Sequence, residues 1–106
     1  MEKVKVELYQ KVRASNPEFI AAMESLGQAV MKAGPLDERS GQLIQLAAAA
    51  AIRSEGAVHS HTRRALAVGA TSGEIRQTLI LLTSTIGFPS VMAAMSWAED
   101  ILSAPR

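Results

Sequence analysis

The chain has 106 residues, 48% of them apolar but only 4% aromatic, and eleven basic against ten acidic side chains leave a net charge of +1. That length argues for one domain with a modest core, and the hydrophobicity is too high for disorder of the bulk chain. The charge balance offers no electrostatic footprint for nucleic acid, and the lack of cysteine removes disulfides, thiolate metal sites and cysteine nucleophiles.

Alanine and leucine carry the apolar load, which favours closely packed helices over sheets. A first helix is predicted over residues 2–14, with Val4, Leu8 and Val12 on one stripe. Ser15-Asn16-Pro17 then breaks and restarts the chain, with Asn16 as N-cap and Pro17 at the first helical position. Phe19, Ile20, Met23, Leu26 and Val30 follow at helical spacing until Gly34-Pro35. Asp37 caps the next helix, whose run Leu46–Ile52 is apolar almost all round and so reads as central. A helix over 57–68 is closed by Gly69. Thr71-Ser72-Gly73-Glu74 is a capping box before an apolar run over 75–86. After Gly87-Phe88-Pro89, Val91, Met92, Met95, Ala98, Ile101 and Leu102 predict a last amphipathic helix, with Ser103 to Arg106 as a tail. Met23, Met31, Met92 and Met95 read as core rather than as a thioether metal box.

The predicted architecture is an all-α bundle of five to six helices forming one domain over 1–106, with its core at 16–103 and 1–15 as an N-terminal helix. Ile75, Leu79, Ile80, Leu81, Leu82 and Ile86 cover more than one helix face, so self-association is expected to hide the surplus. Met1 to Lys5 is not followed by an apolar run of signal-peptide type, and Leu46–Ile52 is too short to span a bilayer. A cytoplasmic protein without membrane or nucleic-acid partners is the expectation.

The chemistry concentrates between Arg53 and Glu74, where both histidines stand, His59 and His61. On a helix they point about 200° apart and cannot grip one metal together. The H-x-x-x-H zincin spacing is absent, so no metal is expected on this pair. Glu55 and His59 are one turn apart and able to pair, either as a solvated surface pair or as an oriented imidazole. Arg63-Arg64 reads as a solvated face or an anion contact. The residues alone describe a helical oligomer with a candidate histidine site.

The order of these pieces resembles the carboxymuconolactone decarboxylase and alkylhydroperoxidase D family. The resemblance rests on "NPEFIAAMESLGQAVMKAGPLDERSGQLIQLAAAAA", "HSHTRRALAVGATSGEIRQTLILL" and "GFPSVMAAMSWAEDIL", nearly all of the chain after Ser15. Its most specific element is His61, Ala65, Leu66, Gly69, Ala70, Thr71, Glu74 and Ile75, leading into Gly87-Phe88-Pro89.

Peroxidatic members of that family carry a Glu, a C-x-x-C pair and a His four residues after the second Cys. Here those positions are Gln42, Ser54, Ala57 and His61, so only the histidine is kept. The thiol chemistry of a peroxidase has no residue to run on. The decarboxylase branch uses no cysteine pair, and Glu55 falls in its glutamate-rich turn. A tyrosine common before the Gly-x-Pro turn is Thr85 here, and the chain is short for that branch. What the resemblance implies is a cysteine-less member of the family and a homotrimer or homohexamer. It implies His61 as acid or base on a small carboxylate or lactone, as a lyase or isomerase, aided by Gln42, Ser54, Glu55 and His59. Arg53, Arg63 or Arg64 would meet the substrate carboxylate. No cofactor is expected. The alternative is a non-catalytic helical oligomer that binds a small ligand or a protein.

Overall fold

The structure, a computed structural model, describes the backbone of residues 2–104 and the side chains of residues 6–104. Val4, placed on the first stripe, and Pro105 and Arg106 of the tail lie outside the residues whose side chains are described. The described residues form helices and turns and no strand. Six helices have nine residues or more, and a seventh is a single turn. The contacts divide the chain into two units, one up to Leu36 and one from Asp37 onward.

The first unit pairs α1 (Glu2–Ser15) with α2 (Pro17–Lys32). Pro17 starts α2 as expected, but Asn16 does not cap it with its side chain. The Asn16 N–H still bonds Val12 O at 2.7 Å, which closes α1. Its backbone angles, φ −139° and ψ 63°, leave the extended geometry of an N-cap. The side-chain amide donates instead to Ser15 Oγ at 3.1 Å. The two helices are pinned by a polar cluster: Tyr9 Oη donates to Glu24 at 3.2 Å, and Arg13 bonds both Tyr9 and Glu24.

The second unit holds α3 (Glu38–Ala51), α4 (Glu55–Ala67), α5 (Ser72–Ile80), the single turn α6 (Thr83–Ile86) and α7 (Phe88–Leu102). Three of these starts are fixed by side chains. Asp37 accepts from the Ser40 N–H at 2.7 Å, and Ser54 accepts from the Ala57 N–H at 3.3 Å. At α5 both arms of the capping box are made, at 3.0 and 2.9 Å. Gly69, at φ 99°, lets the chain leave α4 in a conformation that a side chain resists.

The predicted run over 75–86 is not one helix. The Leu82 N–H bonds Leu79 O, three residues back, and Thr83 Oγ1 donates to Ile80 O. This tightening ends α5 at Ile80 and turns α6 off its axis. Gly87, at φ 92°, then opens α7, with Pro89 in its first turn.

Leu46, Ala50, Val58, Ala65, Ile75, Leu79 and Ala94 are fully buried and form the core of this unit. Burying them is the main stabilising term, at roughly 1.5–3 kcal/mol for each large side chain. The alanines matter for another reason: they let α3, α4 and α7 approach closely. Leu46, Ala49 and Ala50 confirm α3 as central, although Ile52 at its end is exposed. Met95 packs on the core as expected, whereas Met23 and Met92 are about half exposed in the single chain. No helix of the described residues is long and apolar enough to cross a membrane.

Candidate active site

Two helices that pack on each other present the central pair. Gln42 sits early in α3 and is buried; His61 sits in the middle of α4 and is half-buried. His61 Nδ1 lies 2.9 Å from Gln42 Oε1. An amide oxygen can only accept, so Nδ1 carries the proton and donates. A neutral imidazole in that tautomer keeps its lone pair on Nε2, which meets no hydrogen-bonding group among the described residues. Burial, and then the positive charge of Arg64, push the His61 imidazole below its ordinary range. The neutral, base-competent form is therefore favoured near pH 7.

The remaining candidates do other things. Ser54 ends the turn between α3 and α4, and its hydroxyl oxygen caps α4. Ala57, at the other lost cysteine position, packs against the core. The preceding residue, Arg53, holds a left-handed φ of 56° and ties this turn to the start of α7 by donating to Ser90 Oγ at 2.8 Å. The turn where the resemblance places a redox pair is thus closed by a helix cap and tied to α7.

His59 is turned to a different neighbourhood. Its ring is buried, and Nε2 lies 2.9 Å from Oδ2 of Asp100 on α7. Glu55, one turn earlier on α4, brings its carboxylate to the same place. The structure thus joins Gln42 with His61 and, separately, Glu55 and His59 with Asp100. Asp100 was not legible in the sequence, because it is one exposed acidic residue on another helix, 41 positions from His59. Arg64 is the arginine whose charge reaches His61. An open groove lined by Asp37, Glu38, Arg39, Val68 and Gly69 contains none of the candidate residues.

The chain is an all-α protein that sets a histidine of one helix against an amide of the next, with a capped turn where the resemblance places a cysteine pair. It belongs to the carboxymuconolactone decarboxylase family, whose model matches residues 17–100. An uncharacterized protein of Methanocaldococcus jannaschii is 31% identical over 94 residues, covering 89% of this chain and 88% of that protein. The apo crystal structure of a carboxymuconolactone decarboxylase family protein from Legionella pneumophila superposes with a TM-score of 0.82. It shares 30% identity and covers 96% of this chain and 91% of that one. A Thermotoga maritima structure, at 24% identity, superposes with a TM-score of 0.71 over 95% of this chain and 91% of that one. It speaks for the fold alone.

Proposed function

We propose that this chain is an acid–base enzyme of the carboxymuconolactone decarboxylase type, a lyase or isomerase of small carboxylates or lactones. The observation that carries the reading is the hydrogen bond from His61 Nδ1 to Gln42 Oε1. It fixes one tautomer and leaves Nε2 as the atom that exchanges a proton with substrate. In a decarboxylation the substrate carboxylate departs as CO2 and leaves its electron pair on carbon; His61, having first taken a proton from water at Nε2, donates that proton to the carbon and returns to the neutral form. In an isomerisation the same atom first removes a proton and later returns it. Arg64 is the cation nearest in effect to His61 and is suited to a substrate carboxylate. Ser54 and Glu55 border the turn at the start of α4, and His59 acts through another contact set. A C-x-x-C peroxidase is not proposed, since Ser54 and Ala57 hold the two thiol positions.

The working form we propose is a homotrimer or homohexamer in the cytoplasm. Exposed Ile80, Leu81, Phe88 and Met92 on the second unit support it.

The test is turnover of a panel of small lactone acids and carboxylates by the wild type and by His61→Asn. Loss of a positioned general acid or base lowers kcat by about 10²- to 10⁴-fold. Undiminished turnover by His61→Asn would sink the proposal. Saturable binding of a panel member with no turnover would favour the second reading, a non-catalytic helical oligomer. The neutral residue at position 42, where peroxidatic members of the family carry a glutamate, supports that reading.

A further inference from the structure

The cluster at the other histidine has the makings of a site in its own right. Glu55, His59 and Asp100 each bring one ligand atom to a common point, with the three atoms within 4.8 Å of one another. The imidazole Nε2 and the Asp100 Oδ2 are 2.9 Å apart. A first-row dication binds nitrogen and oxygen at about 2.1 Å, so adjacent ligand atoms around it stand roughly 3 Å apart in octahedral and about 3.4 Å apart in tetrahedral geometry. The His59–Asp100 pair, at 2.9 Å, is close to the octahedral spacing, and Glu55 brings its carboxylate within 4.8 Å of both.

The setting favours an ion as well. The His59 side chain is 1% exposed, whereas that of Asp100 is 55% exposed. One ligand is therefore locked in the core, and another stands at the surface where an ion enters. The helices carrying them, α4 and α7, pack on each other through Val58, Ala94 and Ala98. The backbones that carry the three arms are thus held together before any ion arrives. Two carboxylates converge on a single ring.

We infer that Glu55, His59 and Asp100 form a binding site for a divalent transition-metal ion of the zinc type, with water filling the remaining positions. The imidazole selects such an ion over magnesium or calcium, which prefer all-oxygen sets. The site does not draw on His61, which points about 200° away on the helix.

The experiment uses untagged full-length protein stripped with a chelator, titrated with Zn²⁺ by calorimetry and with Co²⁺ by visible absorption. One ion per chain is expected, with Co²⁺ ligand-field bands and stronger paramagnetic broadening of the His59 ring signals than of those of His61. Asp100→Asn, at a half-exposed position that tolerates change, is expected to weaken Zn²⁺ binding about tenfold or more, and Glu55→Gln likewise. His61→Asn is expected to bind as the wild type does. Absence of heat and of Co²⁺ bands would reduce the cluster to an ion pair and overturn the inference. So would unchanged binding by Asp100→Asn, broadening centred on His61, or equal affinity for Mg²⁺.

Discussion

Gln42 decides what kind of base His61 is. A carboxylate in its place would hold a charged partner against Nδ1–H and stabilise the imidazolium. The amide orients the ring just as well, but it adds no charge, so burial and Arg64 set the balance toward the neutral form. Gln42→Glu is therefore expected to raise the pH at which His61 titrates. The check is an NMR titration of the His61 ring in chelator-treated protein, beside the wild type. An unmoved midpoint would mean that the Gln42 contact does not persist in solution. The pairing of positions 42 and 61 is invisible to helical spacing, because the two residues sit on different helices. Only the family pattern of the sequence set them side by side. Asp100 lacked even that, and its place beside His59 depends on how α7 crosses α4.

At the scale of elements, most helix starts were legible because capping is a local code. Asp37 and Thr71 each stand three residues before the N–H they satisfy. Ser54 does the same for α4, but the sequence predicted that helix only from residue 57 and offered Ser54 as a site residue, so this cap emerged from the structure. The failures are local as well. Asn16 has capping chemistry but the wrong backbone angles, since α1 runs on into it. The break at Leu81-Leu82 carries no glycine or proline, and periodicity passes straight over it. The Asp37 cap also makes a pH prediction. Its hydrogen bonds from the Ser40 N–H and hydroxyl group hold its carboxyl below the usual range, with smaller help from Arg39. The Glu99 carboxyl is held low by Arg76 and Ser103. A carboxyl with a lowered folded value contributes stability above its unfolded value and loses it as pH falls through the folded one. Thermal melts should therefore show stability declining as pH drops from the ordinary carboxylate range toward these lowered values. Asp37→Ala should flatten that slope and, at neutral pH, lower the melting temperature through the lost cap. A slope identical to the wild type would remove Asp37 from the account.

For the whole molecule, the open question is what covers its apolar faces. Ile80 and Leu81, at 53% and 65% exposed, lie beside the break that ended α5. The same turn that shortened the helix thus carried two large side chains out of the core. Phe19, Met23, Leu26 and Val30 leave a comparable stripe on α2. In sedimentation, the wild type is expected to run well above the 11.3 kDa of one chain, and Leu81→Asp to shift it toward the monomer. A wild-type monomer at high micromolar concentration would contradict the proposed assembly. Turnover measured on the dissociated variant would then tell whether His61 needs a neighbour.

The sequence by itself determined the all-α class, the family, the helix starts written in caps and the loss of the cysteine pair, because each is a matter of residue type at fixed spacing. The tertiary structure decided which histidine meets which partner. Helical spacing already separated His59 from His61, but it could not say that one faces an amide on α3 and the other a carboxylate on α7. Those meetings are set by how the alanine-rich faces of α3, α4 and α7 pack, and packing joins residues that no local pattern connects.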